Sequence, residues 1–537
     1  MSAAVAAGMP AEHRQLIVAS GLGTLVEWYD FYLYGALAPV LARQFFAGLD
    51  AGAALVATLL GFAVGFVVRP LGALVFGRLG DLIGRKYTFL VTLLLMGGAT
   101  FLIGLLPGHA ILGAFAPVAL IGLRLAQGLA IGGEYGGVAT YVAEHAPHGR
   151  RGAYTGWIQG TATAGLLLAL LVIVGTRWAL GEARFADWGW RIPFLLSVVL
   201  LAISVWIRLR LQESPAFRRI KQAGRSSRAP LTEAFGTWSN LKWVLVALFG
   251  LVAGQAVVWY TGQYQALFYL TLQLKVDDTT ASLLMAAALA LGAPAFVAFG
   301  ALSDRVGRKP IIVAGCVAAA ASYFPLFDGL TRAANPALAE AQARVPVTLH
   351  ARDCSLQLNP FGGDAGDTAC DAARRVLVAR SVRYVLRDSD GAVRVAVGGR
   401  GIEFPAAADE APRRTLHAAL DAAGYPREAD PARIDRPKVL GILVLLVLFA
   451  AMVYGPIAAA LVEMFPTRVR CSSVSLPYHI GNGWFGGLLP ATSIAIGAHT
   501  GHMLDGLWYP VAVAATGALI ALLFVRETKD RDIYAGD

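Results

Sequence analysis

An all-α membrane protein is the fold class this sequence predicts: twelve transmembrane helices in two six-helix halves, with a small α/β insertion between helices 9 and 10. Three observations predict it. The 537-residue chain is 57% hydrophobic and only 15% charged, with a mean hydropathy of +0.59, against roughly 25% charged residues in soluble domains. Twelve apolar runs reach the ~20 residues that a spanning helix needs. Two short motifs also recur at matching places in the two halves.

Taken in order, the expected spans are 16–41, 52–76, 87–107, 110–139, 153–175, 191–209, 241–272, 280–302, 310–330, 437–462, 473–497 and 503–525. Residues 1–15 lack an apolar core, and the first run is too long for a cleavable signal, so it is read as a span. Several spans carry Gly and Pro, which membrane helices tolerate when neighbours satisfy the backbone. With the N-terminus placed inside, Lys and Arg concentrate in the loops after spans 2, 4, 6, 8 and 10. The short outer loops and their edges hold only Arg43, Arg177, Arg184, Arg191 and Lys275. This bias puts both termini in the cytoplasm. It also explains the net charge of +10 without any nucleic acid. The expected divisions are 1–210, the N-terminal half; 211–240, a cytoplasmic linker; 241–330, helices 7–9; 331–436, an extracytoplasmic insertion; and 437–537, helices 10–12 with a short tail.

GRLGDLIGRK (77–86) and GALSDRVGRK (300–309) match at an offset of 223, each joining the second and third helix of its half. Gly77, Asp81, Gly84, Arg85 and Lys86 correspond to Gly300, Asp304, Gly307, Arg308 and Lys309. Gly77 permits close helix approach and Gly84 a tight turn. Asp81 suits a helix N-terminus or an arginine, and Arg85 and Lys86 suit the cytoplasmic face. EHAPHGRR (144–151) and EMFPTRVR (463–470) match at an offset of 319, through Glu144/Glu463, Pro147/Pro466 and Arg151/Arg470. The difference of 96 measures an insertion in the second half. Such internal homology marks a two-fold membrane architecture with its site between the halves.

GRLGDLIGRK resembles the signature loop of the major facilitator superfamily. Within it, EWYDFYLYG (27–35), RLAQGLAIGGEYGG (124–137), WGWRIPF (188–194) and EMFPTRVR resemble the metabolite:proton symporter family. The likeness covers nearly all of the chain except about 331–436. It implies the major facilitator fold and proton-coupled uptake of a small metabolite by alternating access. The expected setting is a bacterial cytoplasmic membrane and the expected form a monomer among lipid, with no cofactor and no nucleic acid. Members of the family carry organic acids such as citrate, oxoglutarate, dicarboxylates and shikimate, or zwitterions such as proline and betaine. Osmosensing members end in a long coiled coil. This sequence ends with RETKDRDIYAGD, shortly after the last apolar run, so osmosensing of that kind is not expected.

Ionisable groups inside a bilayer cost roughly 2.5–3.5 kcal/mol on insertion scales, so they face cavities and have partners. Glu27 and Asp30, three residues apart, share a face of the first span. Arg69 lies about eight residues from the inner end of the second, roughly 12 Å deep at 1.5 Å per residue. Arg124 and Gln127 share a face of the fourth, and Glu134 lies nearer its inner end. An arginine stays protonated, and its fork matches a carboxylate. A desolvated carboxyl titrates closer to the working pH. Arg69 and Arg124 are therefore candidates for the substrate. Asp30, with Glu27 and Glu134, is the candidate for the proton, Asp30 first because it lies deeper. The competing reading is ion pairs that hold helices in register, and Arg191 at the start of the sixth span is assigned to such a pair. Tyr34, Gln127, Gln255, Tyr260, Tyr264, His479 and Asn482 are the candidate polar lining. Packing or interface anchoring competes for the aromatics, and an ordinary structural role for His479.

Residues 331–436 change character, with 15 Arg, no Lys and 14 Asp or Glu. A strand at 345–350, a helix at 371–382, strands near 383–388 and 392–397 across DSDG, and a helix at 413–423 ended by Gly424 predict a small folded module. Cys354 and Cys370 fall within it, on the oxidising side, and are expected to be disulfide-bonded. Cys316 and Cys471 lie in or beside apolar runs and read as packing residues. Neither H-E-x-x-H nor G-x-S-x-G occurs, nor any G-K-[ST], so neither an enzyme nor a nucleotide-driven pump is expected. A sugar or polyol facilitator and a transporter-like receptor are the other readings.

Overall fold

The computed structural model of the protein describes residues 11–48, 57–58, 61, 63–209, 218, 221–222, 227, 229–352, 354, 368–404 and 410–533. Part of the second expected span and much of the expected linker lie outside the described residues. The helices used below are α1 (Ala11–Ala36), α2 (Ala63–Leu82), α3 (Arg85–Leu105), α4 (Phe115–His145), α5 (Arg151–Leu180), α6 (Arg191–Leu209), α7 (Trp238–Gln273), α8 (Asp278–Val306) and α9 (Arg308–Ala334). After them come α10 (Pro336–Arg344), α11 (Ala369–Ala379), α12 (Glu410–Ala422), α13 (Arg436–Met464), α14 (Arg470–Ile480), α15 (Leu489–Thr500) and α16 (Trp508–Phe524).

Among the described residues nine helices are long and apolar enough to cross a membrane, or ten if Glu182–Gly189 and Arg191–Ile207, bent by 59°, form one span. The expected spans 16–41 and 473–497 fall outside this count. Both are helical, but they carry the polar groups of the molecular centre: Glu27 and Asp30 in one, Tyr478, His479 and Asn482 in the other. Those polar side chains lower the hydropathy of the two segments although they are buried against other helices, and the second segment is also broken between Gly486 and Leu489.

The halves meet where α5 lies on α8 and where α2 lies on α14. At the first crossing Gly152 and Gly300 face each other, and a Cβ on either would strike the other's carbonyl oxygen. Small residues allow such backbone approach where lipid supplies no hydrophobic drive. α7 is wound as π-helix at Leu248–Val252, Thr261–Gln265 and Tyr269–Gln273, and Gly481–Gly486 after α14 is wound the same way. Such bulges break the regular ladder and are frequent at functional sites.

The insertion is a folded α/β module. Strands β1 (Val347–His350), β2 (Val385–Arg387), β3 (Val393–Val397) and β4 (Arg400–Phe404) form a sheet in the order β2-β1-β3-β4. β2 and β3 flank DSDG but do not pair with each other. β1 lies between them, parallel to β2 and antiparallel to β3. Leu349 and Val395 pair at the buried centre. β4 was not expected, because GGRGIEF lacks the alternating apolar pattern of a half-buried strand. α12 ends before Gly424, whose φ of 85° closes the helix in the left-handed region. Cys354 and Cys370 form a disulfide, while Cys316 and Cys471 are buried free thiols. The module sits on the helix ends opposite the signature loops. Tyr384 N–H donates to Gly501 O at 2.9 Å, Ala429 N–H to Lys275 O at 2.9 Å and Asp435 N–H to Ala333 O at 2.9 Å, and the Tyr384 hydroxyl donates to Ala498 O.

Candidate functional site

The aromatic run around EWYD folds as one helix, so residues three and four apart share a face. Asp30 and Phe31 project into the first half, and Trp28 and Tyr32 reach α7, where they pack on Trp259. Arg124 donates to Gln127 Oε1 at 2.9 Å, and Gln127 Nε2 donates to the Thr100 hydroxyl at 2.8 Å. That hydroxyl lies beside the Asp30 carboxyl. Hydrogen bonds thus run from a cation on α4 to Thr100 of α3, which donates to Met96 O at 3.0 Å, and the Asp30 carboxyl of α1 lies beside it with neither oxygen hydrogen-bonded among the described residues, all of it buried. Tyr34 lies under the Arg124 guanidinium, 4.8 Å from ring centre to Cζ.

Phe31 separates the two arginines. The Arg124 guanidinium lies 3.9 Å from its ring centre, and that of Arg69 lies 4.3 Å from it. Arg69 is fully buried and also packs on Phe66 at 4.4 Å. One of its nitrogens reaches the Tyr260 hydroxyl across the halves at 3.5 Å, while Nε and Nη2 meet no acceptor among the described residues. Buried polar groups are nearly always hydrogen-bonded, so these N–H groups mark a place for an acceptor. The aromatic walls supply cation–π attraction but no anion.

Glu27, Glu134 and His479 line one small pocket between α1, α4 and α14. In the second half, Gln255 and Asn482 turn their amides toward each other, at 3.4 and 3.2 Å. Gln263 crosses to Thr163 at 3.2 Å. Tyr264 stacks on Tyr260, with ring centres 5.9 Å apart. The candidates therefore fall into adjoining buried groups rather than one open cavity. Phe31, Phe66 and Thr100 were missed by the sequence reading, and so were Trp28, Tyr135 and Tyr454. For the aromatics beside charged residues the signal is their spacing, which ordinary packing also produces, and Thr100 and Tyr454 have none.

Arg191 departs from expectation. It donates to Leu106 O at 3.2 Å and lies 4.3 Å from the Trp190 ring centre. A carbonyl and an aromatic face meet it where an ion pair was expected; among the described residues Nη1 has no hydrogen-bond partner, and Asp187 is near enough to act on it electrostatically although no carboxylate oxygen of the described residues comes within ion-pair distance.

The signature loops stand apart from this centre, at the ends of the helices, and bolt the halves together reciprocally. Asp81 accepts from Cys471 N–H at 3.3 Å, Ser472 N–H at 3.0 Å and the Ser472 hydroxyl at 2.7 Å, capping α14. Asp304 accepts from Gly152 and Ala153 N–H at 2.8 Å each, capping α5. Each acid thus meets the positive end of a helix from the other half. Lys86 donates to Leu209 O at 2.9 Å at the end of α6, and Lys309 to Leu522 O and Val525 O at 2.9 Å each at the end of α16. Both lysines therefore neutralise helix C-termini instead of simply facing water. The side chain of Arg85 lies outside the described residues. Gly84 and Gly307 have φ of 118° and 116°, so both loops turn through a conformation that favours glycine. Gly77 passes Ser472 closely enough that a Cβ would lie 3.3 Å from its Cα.

The second aligned motif completes the bolt. Arg470 of the second half pairs with Glu144 of the first at 2.8 Å, and Arg151 of the first with Glu463 of the second at 3.5 Å. Glu463 also receives Arg308 at 3.1 Å and the Thr528 hydroxyl at 2.7 Å. The matched residues of the two copies are thus each other's partners.

Comparison with known proteins agrees with this architecture. The family profile of the Major Facilitator Superfamily matches residues 21–335. The proline/betaine transporter of Salmonella typhimurium is 35% identical over 320 residues, which are 58% of this chain and 64% of that protein's length. The alpha-ketoglutarate permease of Escherichia coli K12 is 36% identical over 324 residues, 60% of this chain and 72% of that protein. The solved structure of the proton:xylose symporter XylE bound to 6-bromo-6-deoxy-D-glucose superposes with a TM-score of 0.62 over 97% of both chains, at 16% identity.

Proposed function

Because the chain belongs to the Major Facilitator Superfamily, a family of transporters and not of enzymes, we propose that it is a proton-coupled symporter that imports a small organic acid by alternating access. The observation that carries this reading is Arg69: a buried guanidinium with two unmet nitrogens, against the same Phe31 ring as Arg124, whose hydrogen bonds run by way of Gln127 to Thr100 beside Asp30. Arg69 takes the substrate carboxylate in its fork. Arg124, held by Gln127, fixes the local field, and Tyr34, Gln255, Tyr260, Tyr264 and Asn482 form the remaining wall. Asp30 takes up a proton from the side where the site opens. Protonation removes its negative charge next to an anionic substrate, so acid and substrate enter together. The halves then close over the load, the signature-loop bolt releases, and both leave on the other side.

In this reading the molecule has twelve spans: ten by length and hydropathy, with α1 and the α14–α15 region as the other two. Both termini and the signature loops are cytoplasmic. The module at 331–436 is periplasmic and caps or flanks the outer entrance. The divisions remain those expected from the sequence, and the protein works as a monomer in a bacterial inner membrane.

A second reading, a zwitterion such as proline or betaine, is favoured by one observation. Trp28 belongs both to the Arg69 cage and to the pocket that holds Glu27 and Glu134. A carboxylate on Arg69 and a cation against Trp28 and the two acids would fit one small molecule. Buried arginines speak against a neutral sugar or polyol.

Thermal-shift measurements on the purified protein with mono-, di- and tricarboxylates, amino acids, betaines and polyols test this. Stabilisation by carboxylates that Arg69→Gln removes is the expected result. Stabilisation by polyols alone would refute it. Preference for betaines, weakened by Glu27→Gln, would select the zwitterion.

A further inference from the structure

His479 on α14 is fully buried, and neither of its ring nitrogens meets a hydrogen-bond partner among the described residues. A neutral imidazole has one donor and one acceptor, and a charged one has two donors. A buried group left unmet in one state calls for a partner or a proton in another. The ring borders the pocket it shares with Glu27 and Trp28 of α1 and with Glu134 and Tyr135 of α4. The titratable groups around it are Glu27 from α1, Glu134 and Tyr135 from α4, Arg69 from α2, and Tyr478 on its own helix, which bonds to Tyr454 of α13. α5 contributes only apolar Ile158 to the pocket. The first half thus presents two carboxyls to a single imidazole of the second half. The N-terminus of the helix that bears this imidazole is the one Asp81 caps.

Resting on the symport reading above, we propose that His479 receives the transported proton from Glu27 or Glu134 and carries it between the two halves. A carboxyl O–H bond breaks and an imidazole N–H bond forms, leaving a carboxylate and an imidazolium across the pocket. When the signature-loop bolt opens, α14 moves away from α1 and α4 with its half. The imidazolium then faces water and releases the proton, and the emptied carboxylate is ready for the next one, which Asp30 supplies through Glu27, three residues along the same helix face. His479 is on this account a coupling residue and not part of the substrate wall.

Proteoliposomes test it through the ratio of pH-driven uptake to substrate counterflow. Glutamine keeps a donor and an acceptor but takes no proton, so in His479→Gln that ratio falls by about a hundredfold, the typical worth of a positioned proton-transfer group. The pH profile of uptake flattens as well. A structural role would lower both activities together and leave ratio and profile unchanged, which would overturn the proposal. If His479→Gln does not fold, the double variant Glu27→Gln, Glu134→Gln reads the same step from its other end. A wild-type ratio there overturns it equally. Wild-type protein that shows no pH-driven uptake of any carboxylate or betaine removes the symport reading and this inference with it. A pH-driven wild type beside an equally pH-driven His479→Gln removes the inference alone.

Discussion

Arg69 and Arg124 lie on either side of the Phe31 ring, yet their surroundings differ. Arg124 is held through Nη1 by Gln127 Oε1 on its own helix and by the Phe31 carbonyl, whereas Arg69 Nη1 reaches only the Tyr260 hydroxyl of the other half, and its Nε and Nη2 are left for a ligand. A hydrogen bond to a charged group contributes about 1.5–3 kcal/mol, so Arg69→Gln should weaken carboxylate binding by roughly 10- to 150-fold. Arg69→Lys should restore it only in part, because an ammonium lacks the planar fork. Isothermal titration of both variants checks this, and unchanged affinity in Arg69→Gln would make the arginine structural. The charged residues were legible in the sequence because an acid or arginine contrasts with an apolar run. Thr100 and Phe66 gave no such contrast. A threonine or phenylalanine in a span looks like packing until its neighbours on other helices are known.

At the level of elements, the repeat was legible and its meaning was not. Alignment put Glu144 opposite Glu463 and Arg151 opposite Arg470, but only the fold shows that each acid pairs with the arginine of the other copy. Removing one partner of a buried ion pair costs about 3–5 kcal/mol. Glu144→Gln and Glu463→Gln should therefore loosen the bolt. Cys471, a buried thiol whose own N–H is held by Asp81, should become reactive to a thiol reagent in both variants. Unchanged reactivity would show that the bolt is not what shields it. In the module, α11 and α12 announced themselves by spacing, whereas α10 was not expected and neither was β4, whose exposed Arg400 and Gly401 carry no strand pattern. Asp421 has its carboxyl held down to about 2 by hydrogen bonds from Arg427 and then Arg380. Its contribution to stability is present above the ordinary carboxylate value of about 3.9. It is lost as pH falls through about 2. Asp421→Asn should thus destabilise the module at neutral pH and flatten its acid unfolding between about pH 4 and 2. Thermal unfolding across that window reads both effects. A variant as stable as wild type at neutral pH would contradict them.

For the whole molecule, low charge and apolar runs were enough to foresee a helical membrane protein, the repeated motifs its two halves, and their unequal offsets with the local strand and helix patterns a folded insertion. They could not foresee an interior closed by aromatic packing, since Trp28, Tyr32, Trp259 and Tyr264 meet only in three dimensions. Orientation rests on the lysine and arginine bias. A cysteine at Arg218 should be shielded from an impermeant thiol reagent in intact cells, and one at Ala411 in the module should react. The reverse pattern would invert the topology. The central claim is that carboxylate and proton move together, and one measurement reaches it most directly. Purified protein in proteoliposomes, under an imposed gradient with the interior alkaline, is given the best-bound labelled carboxylate of the thermal-shift series. The account predicts accumulation above the external concentration, abolished by a protonophore and by Asp30→Asn. Uptake that only equilibrates, or that is indifferent to the gradient, would contradict it.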